Sequence, residues 1–277
     1  MPTNREAYFA LLKTNNKYLN KSVIVNLLCA ANDIDDHMVL YSNFDKEVKS
    51  VELLYDLAER VKKGEPIQYV LGYSFFLGHK LKVNKDVLIP RQETEQLVVD
   101  TIVYIKKNFK EDEHIDIADV CTGSGAIAVA LANQFKNGKV YATDISKEAL
   151  EVAKENGKDL NIDFLLGNMV DPLIKNNIKL DVLVCNPPYI EHEERIDEQV
   201  YKYEPHLALL AKPATKFYKE VLQNVEKIMK EHFFIAFEIE EDMEQELLGL
   251  IGDYLPECAY RFHKDLYNKM RFLYIIK

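Results

Sequence analysis

Three short segments carry residue types that chemistry needs. The first is Asp119-Val120-Cys121-Thr122-Gly123-Ser124-Gly125-Ala126, where an apolar run gives way to small residues. Glycines let the backbone pass close to a ligand, and a helix starting there presents free N–H groups. The third glycine of a dinucleotide fingerprint is missing, since Ala128 occupies that spacing, which tilts away from NAD. The second is Tyr141-Ala142-Thr143-Asp144, with Asp144 closing the next apolar run. A carboxylate there can hold both hydroxyls of a ribose, or it can simply cap the following helix. The third is Asn186-Pro187-Pro188-Tyr189, after Val182-Leu183-Val184-Cys185. Proline fixes its own φ and forces the preceding residue into extended geometry, so this pair locks the Asn186 side chain and the Pro187 carbonyl. Both oxygens can accept hydrogen bonds from a planar NH₂, and Tyr189 offers a flat face to stack on it. Such a device orients a weak nitrogen nucleophile beside a ribose-bearing cofactor.

Positioning these segments requires strands that end beside one another. From residue 115 the chain alternates apolar strand patterns (115–120, 139–143, 163–166, 180–185 and 233–239) with helical ones (126–135, 147–156 and 217–229). That alternation argues for an α/β fold, a doubly wound, Rossmann-like sheet that is mostly parallel with helices on both faces. Two last strand patterns, 259–263 and 271–276, are separated by a short turn and should pair antiparallel. Ahead of this core, helical spacing at 5–12, 22–30 and 45–62 reads as a small helical bundle, stopped by Gly64 and Pro66. Residues 68–87 are aromatic and β-branched with Gly72 and Gly78 as punctuation, and read as a β-hairpin. The expected organisation is a helical bundle over 1–65, a hairpin linker over 66–90 and the α/β domain over 91–277.

Bulk properties exclude several functions. A net charge of −10, with no basic tract, argues against direct binding of nucleic acid. Cys29, Cys121, Cys185 and Cys258 are scattered without a C-x-x-C pair, and the seven histidines form no ligand cluster, so no metal site is expected. Nothing resembles a membrane span or a secretory signal, which makes a cytoplasmic location the expectation.

The order of glycine loop, acidic strand end and N-P-P-Y resembles the class I S-adenosylmethionine-dependent methyltransferases that modify planar amino or amide nitrogens. N-P-P-Y alone would also suit an adenine methyltransferase. Two further segments, Pro66-Ile67-Gln68-Tyr69-Val70-Leu71-Gly72 and Leu88-Ile89-Pro90-Arg91-Gln92-Glu93-Thr94-Glu95, are similar to the linker and pre-core motif of the HemK-type release factor glutamine methyltransferases. The ribosomal-protein glutamine methyltransferases diverge at the second of them. Tyr203-Glu204-Pro205 and Lys264-Asp265-Leu266 resemble that family's later motifs.

The resemblance implies S-adenosyl-L-methionine as cofactor and, as partner, a peptide chain release factor methylated on the glutamine of its Gly-Gly-Gln motif by a monomeric enzyme. It places Thr122, Gly123, Ser124, Gly125, Asp144, Ile145, Asn168, Met169 and Asn186 at the cofactor, with Thr94 and Glu95 closing its pocket. Asn186, Pro187, Pro188 and Tyr189 would hold the glutamine. Arg91 is expected either to contact substrate or to form a structural salt bridge, to the N-P-P-Y loop or to Glu204. Two departures stand out: Cys121 replaces a usual glycine, a small residue with which binding is expected to survive provided its φ is negative, and Asn168 replaces a usual aspartate.

Overall fold

Thr3 begins the first helix with a capping box: its hydroxyl accepts the Glu6 N–H while the Glu6 carboxylate accepts the Thr3 N–H. The computed structural model describes residues 1–277, which divide into two units, Met1–Tyr73 and Ser74–Lys277. In the first unit α1 (Asn4–Lys13) is followed by α2 (Lys21–Asn32), α3 (His37–Ser42), α4 (Val51–Lys62) and α5 (Ile67–Leu71). Asn20, Asp36 and Ser50 cap α2, α3 and α4 through their side chains. Ala7, Leu11, Ile24, Leu28, Leu54 and Ala58 meet in a dry core.

Three details differ from the periodicity. The short helix α3 was not expected. Helix α4 starts at Val51, not near residue 45, because backbone bonds tie the preceding segment to the N-terminus (Asn4 N–H to Lys46 O, Val48 N–H to Pro2 O) and Ser50 then caps the helix. Residues 67–71 are helical where extended chain was expected, and Gly72 (φ +79°) ends that turn.

The second unit carries the sheet. After the hairpin of β1 (Tyr73–Phe76) and β2 (His79–Lys82) come α6 (Gln92–Asn108), β3 (Asp116–Val120), α7 (Ala126–Gln134), β4 (Lys139–Asp144), α8 (Lys147–Asn156) and β5 (Ile162–Leu166). Then follow α9 (Asp171–Lys175), β6 (Leu180–Cys185), α10 (Glu198–Tyr203), α11 (Lys216–Gln223), α12 (Val225–Ile228), β7 (Met229–Glu238), α13 (Glu244–Tyr254), β8 (Ala259–Lys264) and β9 (Met270–Ile276). The strand order is β5-β4-β3-β6-β7-β9-β8. The first five strands are parallel, while β9 runs antiparallel to both neighbours. This is the doubly wound sheet with a terminal antiparallel hairpin that the sequence pattern predicts.

Strand β6 is buried at every position, as a central parallel strand covered on both faces must be. Successive residues alternate between two cores. Leu183 and Cys185 face α11, α12 and α13, whereas Val182 and Val184 face α6 and α7.

Candidate active site

Parallel pairing decides what meets. Val120 on β3 pairs with Thr143 on β4 and with Cys185 on β6; Asp144 pairs with Leu166 on β5, and Cys185 with Phe237 on β7. The residues in the next row, at or just beyond these strand ends, are therefore Cys121, Asp144, Leu166, Asn186 and Glu238. The chain leaves β3 towards β4 on one side and returns to its other side at β6. At such a switch point the loops part and open a crevice.

The glycine loop is built on a buried carboxylate. Asp119 is 0% exposed; its Oδ2 accepts the Thr122 hydroxyl (2.5 Å) and the Ala128 N–H (3.0 Å). Burial pushes its pKa up to about 7 against the pull of those two bonds. Asp144 clasps the same loop, with Oδ2 accepting the Gly123 N–H (2.8 Å) and Oδ1 the Ser146 N–H (2.9 Å). Burial raises its pKa also. Gly125, at φ +81°, starts α7 where an added Cβ would lie 3.1 Å from Ala153 Cβ.

The condition of a negative φ at Cys121 is not met, and that reading is corrected: φ is +64°. The loop turns there as it would with glycine, and a side chain of one sulfur, in contact with Met169 Sδ at 3.3 Å, is tolerated. Left-handed backbone is most costly for a β-branched residue. Cys121→Val is expected to lower stability by roughly 2 kcal/mol and Cys121→Gly by much less. Comparing urea midpoints tests this, and equal midpoints would discard φ as the constraint.

Beyond β6, Asn186 Nδ2 donates to Thr94 Oγ1 (3.2 Å), and Thr94 Oγ1 donates to Glu238 Oε2 (2.6 Å). The Tyr189 hydroxyl donates to Glu238 Oε1 (3.4 Å). Glu238 is buried, and burial pushes its pKa up to about 7 while Thr94 and the Arg271 charge draw it down. Arg91 takes the salt-bridge alternative: its Nη2 lies 2.6 Å from Glu204 Oε1, whose second oxygen accepts the Ile89 N–H (3.1 Å).

Two cavities flank Asn186. One of about 230 Å³ is walled by Gly123, Asp144, Ile145, Asn168, Met169 and Phe217 among others. The second, of about 210 Å³, is walled by Leu88, Arg91, Pro187, Tyr189, Ile196 and Val200 among others. Asn186 and Pro188 belong to both walls. Thr122, Ser124 and Gly125 shape the loop from behind the first cavity: Ser124 is buried, and its carbonyl accepts Asn156 Nδ2 (2.8 Å). Thr94 sits behind Asn186. Glu95 turns away, its carboxylate accepting the Leu77 N–H (2.7 Å) in the β1–β2 turn.

Two acids were missed by motif reading. Glu238 ends an apolar strand, the same signal that singled out Asp144, yet no motif surrounds it. Glu220, on α11, accepts a hydrogen bond from Asn168 Nδ2, and nothing in its local sequence marks it.

Comparison with known proteins now decides the family. The release factor glutamine methyltransferase of Mycoplasma mycoides subsp. mycoides SC is 34% identical over 276 residues, 95% of each chain. That of Bacillus anthracis is 35% identical over 235 residues, 83% of this chain and 81% of the relative. The chain belongs to the release factor glutamine methyltransferases. Another member of that family, from Bacillus subtilis strain 168, is 45% identical over 186 residues, which span 65% of either chain. The methyltransferase small domain family matches residues 101–203. Among solved structures, a Pyrococcus furiosus methyltransferase aligns with a TM-score of 0.51 at 17% identity, over 73% of this chain and 90% of its own. The N-terminal domain of human METTL16 aligns with a TM-score of 0.52 at 16% identity, over 77% and 81%. At such identities these two attest the methyltransferase fold alone. No helix of this family member is long and apolar enough to cross a membrane.

Proposed function

We propose that the protein transfers a methyl group from S-adenosyl-L-methionine to the side-chain N5 of the glutamine in the Gly-Gly-Gln motif of peptide chain release factors. The observation that carries this reading is the pair of cavities sharing Asn186 and Pro188, for transfer needs donor and acceptor on either side of a common wall. Relatives that match 83–95% of the chain are named for release factors, which favours a glutamine substrate over adenine or a ribosomal protein.

The first cavity fits the cofactor. Asp144 walls the first cavity, where its carboxylate accepts backbone N–H bonds from Gly123, Ser146 and Ile145 and keeps acceptor capacity for a ribose hydroxyl, and a Cβ on Gly123 would meet nothing within 4 Å, so the loop leaves room for a ligand. Because Asn168 Nδ2 is engaged by Glu220, its Oδ1 is available to an adenine amino group. Asn168 thus keeps the acceptor that an aspartate would offer, without its charge. Ile145, Met169 and Phe217 supply apolar walls.

Bound S-adenosylmethionine supplies an electrophilic methyl on a sulfonium. The protein's part is to place the nucleophile. Asn186 Oδ1 and the Pro187 carbonyl accept the two amide N–H bonds, Tyr189 stacks on the amide plane, and the nitrogen is held in line with the methyl. Such alignment removes about 7–11 kcal/mol of barrier in favourable cases. The acceptors also stabilise positive charge developing on NH₂. No general base is needed before transfer, since the methylated nitrogen is acidic and releases its proton afterwards.

The enzyme acts as a monomer in the cytoplasm on a protein substrate, without nucleic acid or membrane, and the helices of residues 1–65 offer a second docking surface for it. Purified release factor and a Gln→Ala variant of its Gly-Gly-Gln loop, incubated with radiolabelled cofactor, test the reading. Label is expected on the wild type alone. Label on neither, with cofactor binding intact, would move the substrate to another nitrogen.

A further inference from the structure

We infer that Thr94 and Glu238 are positioning residues that set the orientation of the Asn186 amide and thereby make the pocket an acceptor of N–H donors. The inference rests on the glutamine-methyltransferase reading for the identity of that donor, but its geometry stands apart from it.

An amide group presents nitrogen or oxygen to a given neighbour depending on a rotation of about half a turn, and the two forms have the same shape. Hydrogen-bond arithmetic chooses between them here. An ionised carboxylate only accepts, and a threonine hydroxyl has one hydrogen. The Thr94 hydrogen is committed to Glu238 Oε2 at 2.6 Å. What remains at Thr94 Oγ1 is an acceptor, so Asn186 must turn Nδ2 towards it, at 3.2 Å. Oδ1 is then left to the cavities. A pocket lined by that oxygen welcomes the NH₂ of glutamine and repels the carboxylate of glutamate, whose oxygens would face it without a hydrogen between. The other Glu238 oxygen takes the Tyr189 hydroxyl at 3.4 Å, so one buried acid anchors both Asn186 and Tyr189.

Protonation state matters to this arithmetic. Burial holds the Glu238 pKa at about 7. Glu93 on α6, Tyr189 beyond β6, Tyr218 on α11 and Arg271 on β9 act on it electrostatically. Arg271 stays charged, and burial raises the pKa of both tyrosines, so, apart from Asp119 beneath the glycine loop, Glu238 is the group within this cluster that changes near neutrality. Once protonated it can donate to Thr94, whose own hydrogen is then free to point at Asn186 and reverse the amide. The ionised form above about pH 7 is the competent one.

Thr94→Val keeps the shape and removes the relay; Thr94→Ser keeps the hydroxyl. Thr94→Val is expected to lower kcat by about 10- to 100-fold with cofactor Kd unchanged, and Thr94→Ser to recover most of that loss. In the wild type, kcat is expected to fall about tenfold from about pH 8 to about pH 6, and Glu238→Gln to flatten this limb. Independently of any substrate, the Asn186 side-chain NH₂ resonances should resist solvent exchange in wild type and Thr94→Ser but not in Thr94→Val. Equal exchange in all three, or equal kcat for Thr94→Val and Thr94→Ser, would overturn the inference. An enzyme that shows the exchange pattern but leaves release factor unlabelled would overturn only the substrate assignment. Should Thr94→Val fail to fold, the Glu238→Gln pH profile decides, and a limb identical to wild type would sink the idea.

Discussion

Asn186→Ala is expected to lower kcat for methyl transfer about 100- to 1000-fold while the dissociation constant for S-adenosylmethionine changes by no more than about threefold. Asn186 is one wall residue among many on the cofactor side, where the glycine loop, Asp144 and Asn168 remain in place. On the substrate side it is the side chain whose acceptor oxygen is assigned to the reacting nitrogen. An amide lone pair is delocalised, so the nitrogen reacts only when held in line and relieved of developing positive charge. Truncation removes both effects. A loss confined to kcat marks an interaction that strengthens in the transition state. Single-turnover rates beside calorimetric titration of the cofactor separate the cases, and an equal loss in both would contradict the role given to Asn186.

The second large effect is on stability. Glu204 has a side chain 2% exposed and Arg91 one that is 33% exposed. Together they hold residues 89–91 against the segment after α10, since Glu204 also accepts the Ile89 N–H. Removing one member of a buried pair leaves a charge without compensation, which costs more than the intact pair contributes. Allowing for the partial exposure of Arg91, Arg91→Ala is expected to cost about 2–3 kcal/mol, a melting midpoint lower by roughly 5–10 °C. Arg91→Ala combined with Glu204→Gln should be less damaged than the single variant, because the stranded charge is gone. Thermal melts of the three proteins test this. An unchanged midpoint for Arg91→Ala, with a raised KM for release factor, would restore Arg91 to direct substrate contact.

Sequence alone determined most of the scaffold. Strands with continuous apolar runs, such as 180–185, have to be buried on both faces. Their alternation with helical periodicity permits few arrangements besides a parallel, doubly wound sheet. The glycine loop, Asp144 and Asn186-Pro187-Pro188-Tyr189 were legible for the same local reason: each is a run of adjacent residues whose backbone geometry is written into its own residue types. Where local signals compete, legibility dropped. Residues 67–71 are aromatic and β-branched yet form a helical turn, and the start of α4 was set by contacts of residues 46 and 48 with the N-terminus.

What only the tertiary structure decided is which distant side chains stand behind the motif. Thr94 and Glu238 are 144 residues apart, and Arg91 and Glu204 are 113 apart. Thr94 read as part of a cofactor lid and Glu95 as its companion. In the fold Thr94 lies behind Asn186, while Glu95 turns to a hairpin. The Thr94–Glu238 pairing follows from α6 packing against β7 beside β6, the Arg91–Glu204 pairing from the segment after α10 meeting the start of α6. The apolar pattern of a strand specifies that it is buried but not which strand is its neighbour, so the second rank of the site appears only when the sheet is assembled.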